Sequence, residues 1–273
     1  MNKNILLGFF VLVFALTTDG FSDAVVKMEY KDNFSNTVNN NTNSFKGSDM
    51  RMDFYEGGEQ ITTTMIFKGD KDEMINLDHK SRSYYVMDKQ TLEAFATQMN
   101  AAMAELEKQM ANMSPEEKAM MEQMMKGKMP SMNKTEEIEP VLKKAGSDKV
   151  SGYSCTRYEV YKGSEKVREL CVTNWANIEG GSEIKSSILS MTNFMEDLSK
   201  SMSEVSGFMA NTANFEKNVF NQINKLNGLP VQTTDYSNGK VTGVSTFKSS
   251  KKTSLEASVF APPANYKLQK IRM

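Results

Sequence analysis

Residues 91–132 read TLEAFATQMNAAMAELEKQMANMSPEEKAMMEQMMKGKMPSM. Leu92, Phe95, Met99, Ala102, Met103, Leu106, Met110 and Met113 recur every three to four residues, the period of one helical face. Ser114-Pro115-Glu116-Glu117 is a helix start, with Ser as N-cap, Pro at the first helical position and Glu completing a capping box. A denser run of Met120, Met121, Met124, Met125 and Met129 follows, ending near Gly127 to Pro130. On both sides of the stretch the apolar period falls to two. An amphipathic, methionine-lined insertion at 91–127 is therefore set between blocks of sheet, as a lid or clasp.

Upstream, Ala24–Tyr30 predicts a first strand. Asn33–Asn43, rich in Asn, Ser and Thr, reads as a solvated loop. Phe45–Phe54 resumes as one half-buried strand with Met50, Met52 and Phe54 on one face and Arg51 and Asp53 on the other. Ile61–Phe67, Met74–Leu77 and Ser83–Met87 continue an antiparallel meander, because the connections are too short for parallel crossovers.

Downstream, Ile138–Lys144 predicts a short strand closed by a turn at Gly146-Ser147-Asp148. Tyr153–Tyr161 and Lys166–Thr173 predict a hairpin around Lys162-Gly163-Ser164. Centred on Gly163, that hairpin sets Cys155 opposite Cys171 and Arg157 opposite Glu169. A second helical insertion, 183–226, carries the stripe Ile184, Ile188, Met191, Met195, Leu198 and Met202, and closes at Asn227-Gly228 before Pro230. Val231–Tyr236 and Val241–Lys248 flank an Asn238-Gly239 hairpin turn, and Leu255–Val259 reads as a last strand.

Several of these residues form a familiar set: Asp78-His79-Lys80 before Tyr84-Tyr85, Gly152-Tyr153-Ser154-Cys155 with Tyr158 and Val160, Glu169-Leu170-Cys171 with Trp175, and the closing Phe260-Ala-Pro262-Pro263-Ala-Asn-Tyr266. The chain resembles the exported bacterial family called domain of unknown function 4412. That resemblance implies the architecture of periplasmic lipoprotein and lipid carriers, a LolA-like half-barrel. The expected fold is thus α+β: one curved antiparallel β-sheet with two amphipathic helical insertions, 91–127 and 183–226, packed on its concave face. The sequence departs from such carriers in starting with a strand and in the methionine richness of its insertions.

The N-terminus bears on the compartment. Lys3 precedes the apolar run Ile5–Leu16, and Thr17-Thr18-Asp19 and the small residues Gly20, Ser22 and Ala24 follow. This is the order of a secretory signal peptide, 1–20 with cleavage as late as 24, and the run is too short to span a bilayer. No lipobox cysteine follows it. A single domain over 25–273, periplasmic or secreted and without a transmembrane segment, is expected. In that compartment the two cysteines, Cys155 and Cys171, are expected to form a disulfide.

Charge and motifs narrow the function. With 33 Lys+Arg against 34 Asp+Glu over 273 residues, no basic field exists to hold nucleic acid. There is no Gly-x-Ser-x-Gly, no phosphate loop and no histidine-based zinc spacing. His79, the one histidine, lies in a turn where a solvated ring is expected. A non-catalytic protein without a cofactor is the expectation. The 22 methionines admit three roles: core packing, an adaptable surface for an apolar ligand, and soft-metal binding. The preferred reading is a carrier for a lipid or a lipoprotein acyl group, with Phe95, Met99, Met103, Leu106, Met120 and Met124 lining the site. The alternatives are a Cu(I) site at Met120, Met121, Met124 and Met125, and an envelope interaction protein with no small ligand. Nothing in the pattern sets an oligomeric state.

Overall fold

The computed structural model describes residues 23–57, 60–91, 93–94, 97–98, 101, 105, 108–109, 114, 139–202, 218–219 and 221–269. Its strands are β1 (Asp23–Asp32), β2 (Thr37–Lys46), β3 (Asp49–Tyr55), β4 (Ile61–Lys68), β5 (Glu73–Asp78), β6 (Ser83–Met87), β7 (Pro140–Val150), β8 (Tyr153–Lys162), β9 (Glu165–Asn174), β10 (Gly228–Ser237), β11 (Lys240–Thr253) and β12 (Lys267–Leu268). Together they make one curved, unclosed sheet in the order β12-β6-β5-β4-β3-β2-β1-β11-β10-β9-β8-β7. Two antiparallel meanders, β1–β6 and β7–β11, join where β1 pairs with β11 and Val26 faces Ser250. Among the described residues only β12 runs parallel to its neighbour, β6.

Several boundaries differ from the sequence reading, each for a local reason. The Asn-rich segment expected as a loop is β2 from Thr37 onward, because β1 and β3 pair with it on both sides. The single strand expected over Phe45–Phe54 is broken by Gly47, whose φ of 58° belongs to the left-handed region that glycine enters without strain. Gly146-Ser147-Asp148 is not a turn: β7 runs through it with a bulge between Lys144 and Gly146, and turns only at Ser151-Gly152. Leu255–Val259 is not a strand. Its last residues begin the 3₁₀ turn Ala257–Phe260, which buries Phe260.

The β8–β9 hairpin forms, with a different register. A bulge between Val160 and Tyr161 sets Arg157 opposite Cys171 and Glu159 opposite Glu169. Cys155 and Cys171 are therefore diagonal neighbours. They are disulfide-bonded all the same, across a Cα–Cα distance of 5.3 Å. The Arg157–Glu169 ion pair is also kept, as a diagonal one.

Helix α1 (Gly181–Met202) packs on β1, β2 and β3. Its start is tight: a Cβ on Gly181 would fall on the Trp175 carbonyl oxygen. The buried face is not the whole expected stripe. Ile184, Ser187 and Phe194 are buried while Met195 is exposed, so the stripe turns by one residue near the helix middle. Ser187 is tolerated fully buried because its hydroxyl donates to the Gly47 carbonyl at 2.9 Å, clipping the helix to the β2–β3 turn.

Both faces of the sheet are used. Adjacent Ile66 and Phe67 are each buried, as are Leu170, Cys171 and Val172; alternation along a strand sends such neighbours to opposite sides. The large core lies under α1 and includes Ala24, Phe45, Phe67, Trp175, Ile184, Phe194 and Phe247. On the other side of β8 and β9, Val219 and Ile223 pack on Val160, Leu170 and Val172. On the other side of β4 and β5, Phe260 packs on Ile66, Ile75 and Leu77.

Candidate functional site

The expected lining residues Phe95, Met99, Met103, Leu106, Met120 and Met124 lie outside the described residues, as does the alternative metal set with Met121 and Met125. The sheet supplies a methionine surface of its own, which the sequence reading did not single out.

Directly paired residues of antiparallel strands share a face, so the registers of β1–β6 can be read as rows running across the strands. One row is Ala24, Phe45, Met50, Phe67, Met74 and Met87. The next is Val26, Asn43, Met52, Met65, Asn76 and Tyr85. A third is Met28, Asn41, Phe54, Thr63 and Asp78. Six methionines of the sheet thus stand on one face, joined by Met191 of α1. Coverage falls off across the rows. Phe45, Met50, Phe67 and Met74 are buried, whereas Met28, Met52 and Met65 are only partly so and Phe54 is exposed. An unbranched thioether side chain packs against varied shapes at little cost, so Met28, Met52 and Met65 make this part of the face adaptable, while Thr63 and Asp78 give its outer row a polar edge.

Polar atoms interrupt it. Asn41 Oδ1, Asn43 Oδ1 and Asn76 Nδ2 are buried and have no hydrogen-bond partner among the described residues, and the same holds for the Trp175 indole N–H. Asn43 is 6% exposed, and its Nδ2 donates to the Met28 sulfur at 3.5 Å, which places the side chain among the methionines.

The opposite face of the same strands is also polar at one place, and there every group is paired. Arg51 Nε donates to both Asp53 carboxylate oxygens at 2.9 Å, and its Nη1 donates to the Val259 carbonyl at 2.8 Å. Thr64 donates to Asp53 Oδ1 at 2.5 Å. A hydroxyl has one proton, so Thr64 accepts from His79 Nε2 at 2.8 Å. His79 Nδ1 is then the acceptor for the Tyr266 hydroxyl at 2.6 Å. The expected solvated turn histidine is instead half-buried, with both ring nitrogens engaged. Burial pushes its pKa below the ordinary 6.5. The Arg51 charge acts in the same direction, while Asp53 and Asp78 oppose it. The signal for this cluster was present in the sequence: alternation sends Arg51 and Asp53 away from Met50 and Met52. Its partner Tyr266 lies 187 residues from His79 and could not be paired by pattern.

Among the described residues no group of three or more His, Cys, Asp or Glu side chains could hold a metal ion. No helix among them is long and apolar enough to cross a membrane.

Comparison with known proteins gives the following. A family model described as "Domain of unknown function (DUF4412)" matches residues 87–266, leaving β1–β5 and nearly all of β6 before the match. No curated protein matches. Among solved structures, the chain is similar to an uncharacterized conserved protein from Thermus thermophilus, at 7% identity and a TM-score of 0.45, covering 90% of this chain and 89% of that one. It is also similar to the Pseudomonas aeruginosa MucA/MucB complex structure, at 6% identity and a TM-score of 0.38, covering 91% of this chain and 58% of that one. TM-scores this low fix neither a fold family nor a function.

Proposed function

The chain belongs to the DUF4412 family, and from that premise we propose that it is a non-catalytic periplasmic binding or carrier protein for an apolar ligand, a lipid or a lipoprotein acyl group. In this reading the curved sheet is a half-barrel of the lipoprotein-carrier kind. The observation that carries it is the sheet face on which Met28, Met52 and Met65 remain partly uncovered beside a closed core. Branched and aromatic side chains at these positions would lock one packing. Thioethers keep the face adaptable to cargo of varied shape. On the sequence reading, Phe95, Met99, Met103, Leu106, Met120 and Met124 of the 91–127 insertion would line the cargo site.

The periplasmic part of the proposal rests on the signal-like order of residues 1–24. The non-catalytic part is supported by His79, the one imidazole of the chain, whose two nitrogens are both committed to Thr64 and Tyr266.

Native mass spectrometry of the oxidised mature protein, purified from an envelope extract and then solvent-extracted, tests the proposal. A lipid-sized adduct removed by extraction is the expected result. A copper-sized adduct would assign the methionines to Cu(I) instead. A bare mass that also stays unchanged on incubation with lipid or Cu(I) would end the carrier reading and leave packing as their role.

A further inference from the structure

We infer that Met28, Met52 and Met65 are sites of reversible oxidation to the sulfoxide, with the amides of Asn41, Asn43 and Asn76 placed to take up the new oxygens. The pattern lies in the strand registers. Met28 pairs directly with Asn41, Met52 with Asn43 and Met65 with Asn76. The buried methionines of the same face have other neighbours: Met50 pairs with Phe45 and Phe67, and Met74 with Phe67 and Met87. The three methionines paired with asparagine are only partly buried, whereas Met50 and Met74 are 6% and 7% exposed. Asparagine is disfavoured within strands, and each of these three keeps a buried side-chain atom without a partner among the described residues. One bond that is made points at sulfur: Asn43 Nδ2 donates to Met28 Sδ at 3.5 Å, and a thioether is a weak acceptor.

The co-reactant is a peroxide. The thioether sulfur attacks one peroxide oxygen; an S–O bond forms, the O–O bond breaks, sulfur gives up two electrons, and the peroxide is reduced to water or an alcohol. A strong acceptor then stands where a weak one stood, and it costs stability unless a donor meets it. Directly paired strand residues have Cβ atoms about 4.5–5.5 Å apart, which brings an asparagine amide within reach of the facing sulfoxide. A primary amide carries two N–H donors and one oxygen. Turning its donor end toward the neighbour suffices, so the uptake needs no particular starting orientation at Asn41 or Asn76. At Asn43 the donor end already faces Met28. Phe45 and Phe67 hold no side-chain donor, so a sulfoxide at Met50 or Met74 would gain nothing from them. Cargo plays no part in this chemistry, which requires only that a small oxidant reach the partly uncovered methionines. The sheet would thus consume oxidant while staying folded, and reduction of the sulfoxides would restore it.

The test is timed exposure of the disulfide-bonded full chain to hydrogen peroxide, with peptide mass spectrometry reading each methionine. Met28, Met52 and Met65 should gain oxygen about fivefold or more faster than Met50 and Met74; comparable rates would overturn the inference. Melting temperature is then read before and after oxidation, at matched conversion, in the wild type, Asn43→Leu and Asn76→Leu. The drop on oxidation should be larger by about 5 °C in each variant, the shift expected when one polar group loses its partner. Equal drops would show that the amides do not receive the oxygens and would overturn it as well. Referring each chain to its own unoxidised state removes the effect of the substitution itself and of methionines elsewhere. In the wild type, which needs no substitution to fold, the side-chain amide NMR signals of Asn43 and Asn76 should move downfield on oxidation. Unmoved signals would again overturn the inference.

Discussion

The N-terminal meander shows two chemistries on the two sides of the same strands. On one side, Asn41, Asn43 and Asn76 stand among methionines with side-chain atoms left unpaired. On the other, Arg51, Asp53, Thr64, His79 and Tyr266 form an unbroken chain of donors and acceptors beside Ile66, Ile75, Leu77 and Phe260. The paired side is doing a structural job. Arg51 reaches the Val259 carbonyl and His79 holds Tyr266, so the C-terminal segment is fastened across β3–β5. On that side, satisfied hydrogen bonds mark the groups that hold the fold together.

The sharpest way to break this comparison is to remove one large side chain from the structural face and change one on the other. Phe260→Ala, at a site 2% exposed, should cost about 3–5 kcal/mol of unfolding free energy. Met52→Leu, on the partly covered face, should cost under about 1.5 kcal/mol. Urea melts of the two variants compare them directly, and equal losses would mean that the methionine face is packed as rigidly as the core. Smaller is the effect expected of Thr64→Val, which takes the middle out of the relay and should cost about 1–3 kcal/mol by leaving Asp53 and His79 each short of a partner. The His79 ring resonances should move in that variant; an unchanged imidazole spectrum would show that the relay is not formed in solution.

The smallest effect is with pH. A histidine whose pKa is lowered on folding binds protons more readily unfolded, so its contribution is intact above 6.5 and is lost as pH falls from there toward the folded value. The wild type should therefore lose more melting temperature between neutral pH and the low sixes than His79→Gln does. A flat difference between the two would remove His79 from the account of how the C-terminal segment is held.

What could be read in the sequence followed the locality of the signal. Ile61–Phe67 declared its period and became β4; Asn238-Gly239 declared its turn, and both residues have positive φ. The cysteines were bonded as expected although the register around them was not, because a diagonal pair is also within reach. β2 was hidden by its own composition. Asparagine-rich sequence ordinarily leaves the backbone to water, and only two flanking strands, one of them arriving before it in the chain and one after, turned it into sheet. Gly146 carried the same residue cue as a turn and made a bulge, a choice set by the neighbouring strand β8. His79 looked solvated because its partners, Thr64 and Tyr266, are brought to it only by folding. The expected site on the 91–127 insertion falls outside the described residues, and the candidate surface found instead came from strand registers that no single stretch reveals.

The placement of β1 has a consequence in time. Val26 is flanked by Asn43, in the very next strand of the chain, and by Ser250, near the other end of the chain. The meander β1–β6 can assemble from neighbours alone, but its inner edge stays open until β11 has emerged and found it. Such long-range pairing is the slow step of β-rich folding, and an unpaired strand edge is where a half-folded chain finds the wrong partner. The seam between the two meanders thus closes after the pairings inside β1–β6, and the period before it closes is when the chain is most exposed to misassembly.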